Sequence, residues 1–563
     1  MRKIIVFVFC ITFFSPPLFA QFTKYIVKFK DKTGVPFSIN NPSKFLSQRA
    51  IQRREKQNIP IDETDLPVVP SYIDSIRLSG NVLVLNQSKW LNQICVETAD
   101  SAALQKINRF SFVSKTQPVK RLQLNPENRF AEKTIDKFKG EIENFTSIPS
   151  LSNDHYAYGF SSDQIRIHHG EFLHNMGFHG EGMIIAIIDA GFYHYKTLPV
   201  FDSVNIKNLV IETHDFVDNE ESVNEDDSHG MKCFSIIAGN LPNKLVGSSP
   251  EAKFLLYRSE DVFSESPVEE QYWIAAAERA DSAGADVITT SLGYNLFDNP
   301  DFDYSYQDMN GHTSMIAKAS TIAAGKGMII LAAAGNEGND SWHFIITPAD
   351  AENILAVGAV DGSGMVAPFS SFGPSSDGRV KPDVASVGWG TAISSIDGKI
   401  VSGNGTSFAT PNLAGLVTCL WQAFPEFTNL EIIKTIQKSC TIYDHPDNRI
   451  GYGIPDFQKA FDDLNQQRIL KRALIILGNQ TLKIYPNPFK NHFSVLIKPE
   501  RTSNSVFSLF DATGRLYFSK QISLQQGVIR LIDFDMMPSI QKGIYILKYY
   551  DGKYTTGLKV VVD

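Results

Sequence analysis

The chain has 563 residues, 43% of them hydrophobic, and a formal net charge of −8 at pH 7. This length exceeds one ordinary domain, so several folded units are expected, and the hydrophobic share is that of a soluble globular protein. The negative charge argues against nucleic acid as a partner. Beyond the N-terminus no uncharged apolar run is long enough to cross a bilayer, so the mature form is expected to have no transmembrane span.

Residues 1–20 have the three parts of a secretory signal peptide. Arg2 and Lys3 supply the positive start, residues 4–14 form an apolar core, and Ala20 ends a segment suited to cleavage. A membrane anchor is the alternative, although the apolar core is short for one. Export is therefore expected. Among the few cysteines, Cys419 and Cys440 could form a disulfide bond. A large hydrophobic core does not need a disulfide for stability, so buried free thiols are favoured.

Residues 21–120 have the pattern of a separate small α+β domain. Residues 24–30 alternate as a half-buried strand does, residues 45–57 are basic and helix-like, and residues 82–85 and 112–116 have the composition of further strands.

A linker is expected at residues 121–160. Its first thirty residues are polar and rich in Lys, Glu and Asn, with few apolar positions spaced for a core. Such a stretch is exposed and open to proteolysis.

Apolar runs alternate with helix-like segments over residues 161–465. This alternation is typical of a parallel sheet covered by helices on both faces, and it predicts a three-layer α/β/α domain. Functional groups in such folds gather beyond the carboxyl ends of the strands. The predicted strands are residues 183–188, 254–257, 287–290, 328–333 and 354–360, and the predicted helices include 268–283 and 315–327.

Four candidate catalytic residues follow a predicted strand or open a helix. Asp189 and Asn336 follow strands, whereas His229 and Ser407 each stand at the start of an apolar helix. Free backbone N–H groups and the helix dipole favour a negative oxygen at such a start. Each residue alone also has an ordinary explanation as a strand cap, a turn asparagine, a surface histidine or a helix-capping serine.

In the order Asp189, His229, Asn336, Ser407, the four residues resemble the site of the subtilisin-like serine peptidases. The segment Ile184-Ile-Ala-Ile-Ile-Asp-Ala-Gly resembles the aspartate motif of that family, and Ser228-His-Gly resembles its histidine motif. Ala333-Ala-Gly-Asn resembles the oxyanion segment, and Gly405-Thr-Ser-Phe-Ala-Thr-Pro matches the serine motif most fully. The resemblance covers about residues 164–460.

Two positions depart from the family pattern. Ala190 stands where threonine is usual, and Met231 stands where threonine or serine is common. Neither change removes a catalytic atom, so the departures concern fine positioning and rate.

The resemblance implies a secreted serine endopeptidase. Ser407 would be the nucleophile, His229 the base and then the acid, and Asp189 the group that orients the imidazole. The Asn336 amide and the Ser407 backbone N–H would bind the oxyanion. This mechanism requires no metal or other cofactor.

The resemblance also implies how a protein or peptide substrate binds. Ser291, Leu292 and Gly293 would pair with an extended peptide by strand addition, and Ala333 and Gly335 would line a roomy, mainly apolar pocket.

Many relatives bind structural calcium, but no compact loop assigns it here. Asp298, Asp301 and Asp303 form a weak candidate, and a solvated acidic loop is the alternative. The histidines between residues 168 and 179 fit no standard zinc spacing.

The segment in front of the expected peptidase domain also resembles a known domain. The segment Leu46-Ser-Gln-Arg-Ala-Ile-Gln-Arg-Arg resembles the prosegment of subtilisin-like peptidases secreted by Bacteroidota, which implies a zymogen. A permanently attached binding domain is the alternative.

Residues 480–563 alternate short strands and turns, as in a small β-sandwich. From Tyr485-Pro-Asn-Pro onward they resemble the C-terminal sorting domain of the type IX secretion system. This implies the type IX machinery as a partner, passage across the outer membrane, and release or attachment at the cell surface. A generic β accessory module is the alternative.

Two other functions compete with proteolysis. A catalytically impaired surface binding protein on the same fold would explain Ala190 and Met231. A serine esterase on another α/β fold would need a Gly-x-Ser-x-Gly elbow, which the sequence lacks.

Overall fold

The computed structural model describes residues 22–121, 154–225, 227–478, 480–535 and 540–563. The predicted signal peptide and residues 122–153 of the predicted linker lie outside these ranges. The described chain divides into two compact units, one ending at Ala460 and the other comprising Phe461–Asp563. Within those ranges, none of the helices combines the length and the hydropathy needed to cross a bilayer.

The front domain is an antiparallel four-stranded sheet with helices packed against it. The strand order is β2-β3-β1-β4, and alternate apolar residues such as Val27, Ile94 and Val96 form its core with Ile76. The predicted small α+β domain is confirmed. Its elements are β1 (Phe22–Phe29), α1 (Gln48–Gln57), α2 (Pro70–Arg77), β2 (Leu83–Ser88), β3 (Gln93–Glu97), α3 (Ser101–Ile107) and β4 (Val113–Arg121).

The central domain contains a seven-stranded, all-parallel sheet. Its strands are nearly all buried, which explains their continuous apolar runs. Two short hairpins, β7-β8 and β14-β15, lie outside this sheet. In chain order the strands of the domain are β5 (Ile184–Asp189), β6 (Val210–Asp215), β7 (Asn240–Leu241), β8 (Leu245–Val246), β9 (Lys253–Arg258), β10 (Val287–Thr290), β11 (Ile329–Ala333), β12 (Leu355–Val360), β13 (Val384–Val387), β14 (Thr391–Ser394) and β15 (Ile400–Gly403). The order in the large sheet is β13-β12-β11-β10-β5-β9-β6.

Helices cover this sheet, and the predicted α/β fold class is confirmed. From the central domain onward the helices are α4 (Ser162–Arg166), α5 (Gly170–Asn175), α6 (Asp202–Ile206), α7 (His229–Ala238), α8 (Val268–Ala283), α9 (Met315–Gly325), α10 (Thr406–Ala423), α11 (Asn429–Ser439) and α12 (Phe457–Leu477), and most of α12 belongs to the second compact unit. Helices α8 and α9 pack through Trp273 and Ile316 on one set of strand residues, which includes Ile188 and Ile330. Helix α10 contacts β10 to β13.

The C-terminal unit contains two antiparallel sheets around one core. The sheet orders are β16-β17-β20 and β19-β18-β21-β22, and Phe493, Phe507, Phe534 and Leu547 lie in the core that the sheets share. This is the predicted β-sandwich. Its strands are β16 (Leu482–Tyr485), β17 (His492–Ile497), β18 (Ser503–Asp511), β19 (Leu516–Leu524), β20 (Arg530–Asp535), β21 (Gly543–Tyr550) and β22 (Thr555–Val562).

Candidate active site

Ser407 is the second residue of α10 and is only 7% exposed. The preceding Gly405 has a φ of 152°, a backbone conformation that glycine adopts at little cost. Its N–H donates to the carbonyl of Gly388 at 2.7 Å. The sharp entry to the helix thus places the serine where the first N–H groups of the helix have no partner within it.

Ser291 lies just past the end of β10 and contacts Ser407 twice. The Ser291 hydroxyl donates to the Ser407 carbonyl at 2.8 Å, and the Ser407 hydroxyl donates to the Ser291 carbonyl at 3.3 Å. The nucleophile candidate is therefore fixed to the carboxyl edge of the parallel sheet.

Asp189 and His229 form a buried hydrogen-bonded pair. Asp189 ends β5, His229 begins α7, and they are 0% and 2% exposed. The Asp189 Oδ1 lies 2.6 Å from the His229 Nδ1. A carboxylate in this position makes Nδ1 the protonated nitrogen, so Nε2 is the nitrogen whose lone pair can accept a proton.

The two carboxylate oxygens of Asp189 differ in their hydrogen bonds. Oδ1 also accepts the N–H of Ala190 at 2.8 Å, whereas Oδ2 is buried without a hydrogen-bond partner among the described residues. The alanine side chain has no hydroxyl to offer it.

Cys233 connects the start of α7 to the start of α10. Its Sγ lies 4.0 Å from the His229 Nδ1 and 3.3 Å from the Ser407 carbonyl oxygen. The rings of His229 and Phe408 are also neighbours, with centroids 6.1 Å apart. Burial raises the pKa of the Cys233 thiol well above its usual value, so this sulfur stays protonated. His229 and Ser407 therefore lie in one small region.

Asn336 follows β11 and is oriented by Thr406. Its Oδ1 accepts the Thr406 N–H at 2.9 Å and the Thr406 hydroxyl at 3.1 Å, so the NH₂ group faces elsewhere. A methyl group on Gly405 would lie 3.8 Å from both the Asn336 Nδ2 and the Ser407 Cβ. The amide nitrogen thus lies beside the serine, where it can donate to an oxyanion.

A cleft of about 910 Å³ opens at these residues. Ser291, Leu292, Gly293, Ala333 and Gly335 line it, together with Asn336 and Ser407.

Sequence reasoning missed several carboxylates in the same lining and expected a mainly apolar pocket. The sequence could have indicated two of these carboxylates, because Glu260 and Glu265 follow β9 at the sheet edge where functional groups gather. The acidic lining residues are Glu260, Glu265, Asp298, Glu337 and Asp340.

The calcium candidate has no converging ligand set in the described ranges. Asp303 accepts the N–H of Phe297 at 2.7 Å, and Asp298 accepts that of Glu265 at 3.1 Å. Elsewhere in the described ranges, two groups of three possible ligands do converge. One is Asp189 with His229 and Cys233, and the other is Glu260 with Glu265 and Glu269. We assign no metal to either group.

The histidines between residues 168 and 179 have protein partners. His168 contacts the Pro455 carbonyl and the Ser386 hydroxyl, each at 2.9 Å, and burial lowers its pKa to about 4. His174 contacts the Tyr158 hydroxyl at 2.6 Å. Cys419 and Cys440 are both buried free thiols.

Residues 180–453 match the sequence profile of the subtilase family of peptidases. This chain carries a subtilase domain. In front of it, residues 24–135 match the peptidase S8 propeptide domain of Bacteroidota, and behind it residues 483–563 match a secretion system C-terminal sorting domain. The predicted family resemblance is confirmed for all three parts, and the sorting domain indicates export to the cell surface or beyond.

Two curated relatives illustrate the range of the subtilase matches. The thermophilic serine proteinase of Bacillus sp. (strain AK1) is 32% identical over 46% of this chain and 56% of its own length. M-protease of Shouchella clausii (strain KSM-K16) is 25% identical over 74% of this chain and 94% of its own length. This chain thus spans only about half of the first relative. Nothing in these matches favours the catalytically impaired alternative.

Among solved structures, the crystal structure of MycP1 from Mycobacterium smegmatis is similar to part of this chain. It is 22% identical, covers 57% of this chain and 89% of its own, and has a TM-score of 0.42.

Proposed function

We propose that this subtilase is an exported serine endopeptidase in which Asp189, His229 and Ser407 are the catalytic triad. The buried 2.6 Å hydrogen bond between Asp189 and His229 is the observation that carries the proposal. It fixes the tautomer in which His229 Nε2 can take the Ser407 proton as the hydroxyl attacks a peptide carbonyl. His229 then protonates the leaving amine, and a water molecule cleaves the acyl-enzyme by the same route.

The oxyanion of each tetrahedral intermediate needs donors that are already in place. We assign this role to the Asn336 NH₂ and the Ser407 backbone N–H. Support comes from the Thr406 hydrogen bonds, which occupy the amide oxygen of Asn336 and leave its nitrogen available. Donors that need not reorient during the reaction stabilise the developing charge most efficiently. No metal takes part in this chemistry, and structural calcium remains unassigned.

Substrate binding is proposed at the edge formed by Ser291, Leu292 and Gly293. An extended peptide would add to this edge as a further strand, and Ala333 and Gly335 would flank the side chain before the scissile bond. The lining of the cleft by all five residues supports this arrangement.

The front domain, residues 21–120, would act as an inhibitory propeptide. Its β2–β3 turn is bound by Glu278 of α8, which accepts the Ser88 hydroxyl and the N–H groups of Lys89 and Trp90. Removal would follow cleavage in residues 121–160 and leave the peptidase domain of residues 161–465. The tail, residues 480–563, would engage the type IX secretion machinery.

An active-site label tests the proposal directly. Secreted protein should react with a fluorophosphonate and hydrolyse casein, and Ser407→Ala should abolish both. Ser341→Ala, which alters an exposed serine lining the same cleft, is the matched control and should retain both. Absence of labelling in the parent would favour an impaired binding protein, whereas labelling with hydrolysis of short esters but not of casein would favour an esterase.

A further inference from the structure

The cleft at Ser407 carries charge of one sign only. Its described lining includes five carboxylates and no lysine, arginine or histidine. Carboxylates gathered in a cleft create a negative potential that attracts cations and repels anions. The cleft is therefore selective by charge in addition to shape.

Three of these carboxylates, Glu260, Glu265 and Asp298, form a group that we call the acid loop. Glu260 and Glu265 have oxygens within 4.8 Å of each other and of a Glu269 oxygen. Asp298 accepts the N–H of Glu265 at 3.1 Å, and Glu260 accepts the Tyr294 hydroxyl at 2.8 Å. These contacts hold the carboxylates of Asp298 and Glu260 in place, so these two side chains lose little entropy when a cation binds.

The chain itself places a cation beside the acid loop, on two residues of the segment between Glu260 and Glu265. Lys120, near the end of β4, has its Nζ 3.0 Å from the Asp261 Oδ2 and 2.6 Å from the Ser264 hydroxyl. Asp261 lies between the two glutamates of the acid loop in sequence, and Ser264 lines the cleft. The lysine precedes the residues in which the propeptide is expected to be cut, so it stands on the amino-terminal side of that cut.

We infer that this enzyme prefers substrates with a lysine or arginine two or more residues before the scissile bond, recognised by Glu260, Glu265 and Asp298. The inference rests on the proposed function, because it concerns the same cleft. Lys120, which pairs with the neighbouring Asp261 and Ser264, shows that this segment of the chain accepts a lysine side chain. The small residues Ala333 and Gly335 leave the position next to the scissile bond to a different pocket.

Quenched fluorescent peptides test the inference. Pairs of peptides would differ only by lysine or the uncharged norleucine at each of four positions before the scissile bond. The enzyme would be secreted from the full chain and its active sites counted with a fluorophosphonate. We expect kcat/KM for the best lysine peptide to exceed that of its norleucine partner by about tenfold, and this ratio to shrink at high salt.

Two double variants separate the acid loop from total charge. Glu265→Gln with Asp298→Asn should lower the lysine-to-norleucine ratio about fivefold, because two partly exposed charge interactions are lost. Glu426→Gln with Asp444→Asn removes the same charge from exposed positions outside the cleft lining and should leave the ratio unchanged. The fluorophosphonate count shows that each variant is folded.

Two results would overturn the inference while leaving the proposed function intact. The first is peptide hydrolysis without a lysine preference at any position, and the second is a preference that survives in the acid-loop variant. Failure to hydrolyse any peptide or to react with the label would overturn the proposed function, and the inference with it.

Discussion

The Ser291 hydroxyl donates a 2.8 Å hydrogen bond to the carbonyl oxygen of Ser407. In an uninterrupted helix this carbonyl would accept the N–H of residue 411, four positions later. Residue 411 is proline, which has no N–H. The proline thus frees a carbonyl in the first turns of α10, and the end of β10 uses it to anchor the backbone of the candidate nucleophile.

Ser291→Ala should therefore impair catalysis more than binding. The substitution leaves the Ser407 carbonyl without its hydroxyl donor and loosens the nucleophile, so we expect kcat to fall about tenfold with a small change in KM. The free energy of unfolding should fall by about 1 kcal/mol, the net contribution of one hydrogen bond, because the Cys233 thiol still donates to the same carbonyl. Steady-state kinetics of the active enzyme measure the first effect. Urea unfolding of Ser291→Ala in the Ser407→Ala background measures the second.

Thr289→Val is the matched control for Ser291. Thr289 lies two positions earlier, inside β10, and its buried hydroxyl has no partner among the described residues. Removing that hydroxyl should change neither kcat nor stability appreciably. Equal losses in the two variants would contradict the anchoring role of Ser291.

Asn336→Asp isolates the oxyanion donor. Aspartate keeps an oxygen that can accept the Thr406 N–H but has no NH₂ group to donate. We expect kcat to fall by at least about 10²–10³, the loss recorded for an oxyanion asparagine in a subtilisin, with KM little changed. Asn339→Asp, an exposed change in the same cleft, controls for the added negative charge. A similar fall in kcat in both variants would show that charge alone is responsible.

The central fold was readable from the sequence because its strands are buried on both faces. The predicted bounds of β10 and α8 agree with the structure, where an apolar run ends at small residues and Gly284 ends the helix. The strands β6 and β13 were not predicted. The first is a partly exposed edge strand containing Glu212 and His214, and the second has Ser386 between its apolar residues. Neither has the long apolar run that marks a central strand.

The surroundings of the site were harder to predict because they depend on contacts between distant segments. Asp189 and Asn336 were predicted because functional groups gather beyond the carboxyl ends of parallel strands. The acid loop has no periodic pattern that would predict its position in the cleft. The basic helix α1 gives another example. Arg53 and Arg54 are 5% and 1% exposed, although charged residues in a short helix are usually solvated. Their partner, Asp281, lies more than 200 positions away.

Asp281 joins the propeptide domain to α8 through buried charge. The Arg54 guanidinium lies 2.8 Å from the Asp281 carboxylate and 2.7 Å from that of Asp65, and Arg53 also contacts Asp281. Burial alone would raise the pKa of Asp281, but Lys89, Arg53 and Arg54 together hold it well below its usual range. The carboxylate therefore stays charged and depends on these cations.

Arg54→Met should weaken the attachment of the propeptide domain. Removing one member of a buried ion network leaves the opposite charge undercompensated, at a cost of about 3–5 kcal/mol. We expect a matching loss of unfolding free energy in the full-length Ser407→Ala protein. Arg77→Met, which breaks an exposed pair with Asp74 on α2, should cost under about 1 kcal/mol. Losses of equal size would show that the buried network does not stabilise this form.

Two buried histidines should make the fold sensitive to acid. Burial lowers the pKa values of His168 and His174 to about 4, whereas the ordinary value is 6.5. As pH falls from 6.5 toward 4, these two imidazoles bind protons in the unfolded chain but stay neutral in the folded chain. Proton binding therefore favours the unfolded state. The stabilisation is complete above pH 6.5 and declines through this window.

The size of this effect can be measured with His168→Gln in the Ser407→Ala background. Each histidine should remove about 2 kcal/mol of unfolding free energy between pH 8 and pH 5, by the linkage of protonation to folding. Glutamine does not titrate, so the variant should lose about 2 kcal/mol less than the parent over that interval, whatever its stability at pH 8. His312→Gln, at a side chain 64% exposed, should leave the pH dependence unchanged. Urea unfolding at both pH values gives the four free energies for each comparison, and parallel losses in His168→Gln and the parent would show that this ring is not held neutral by burial.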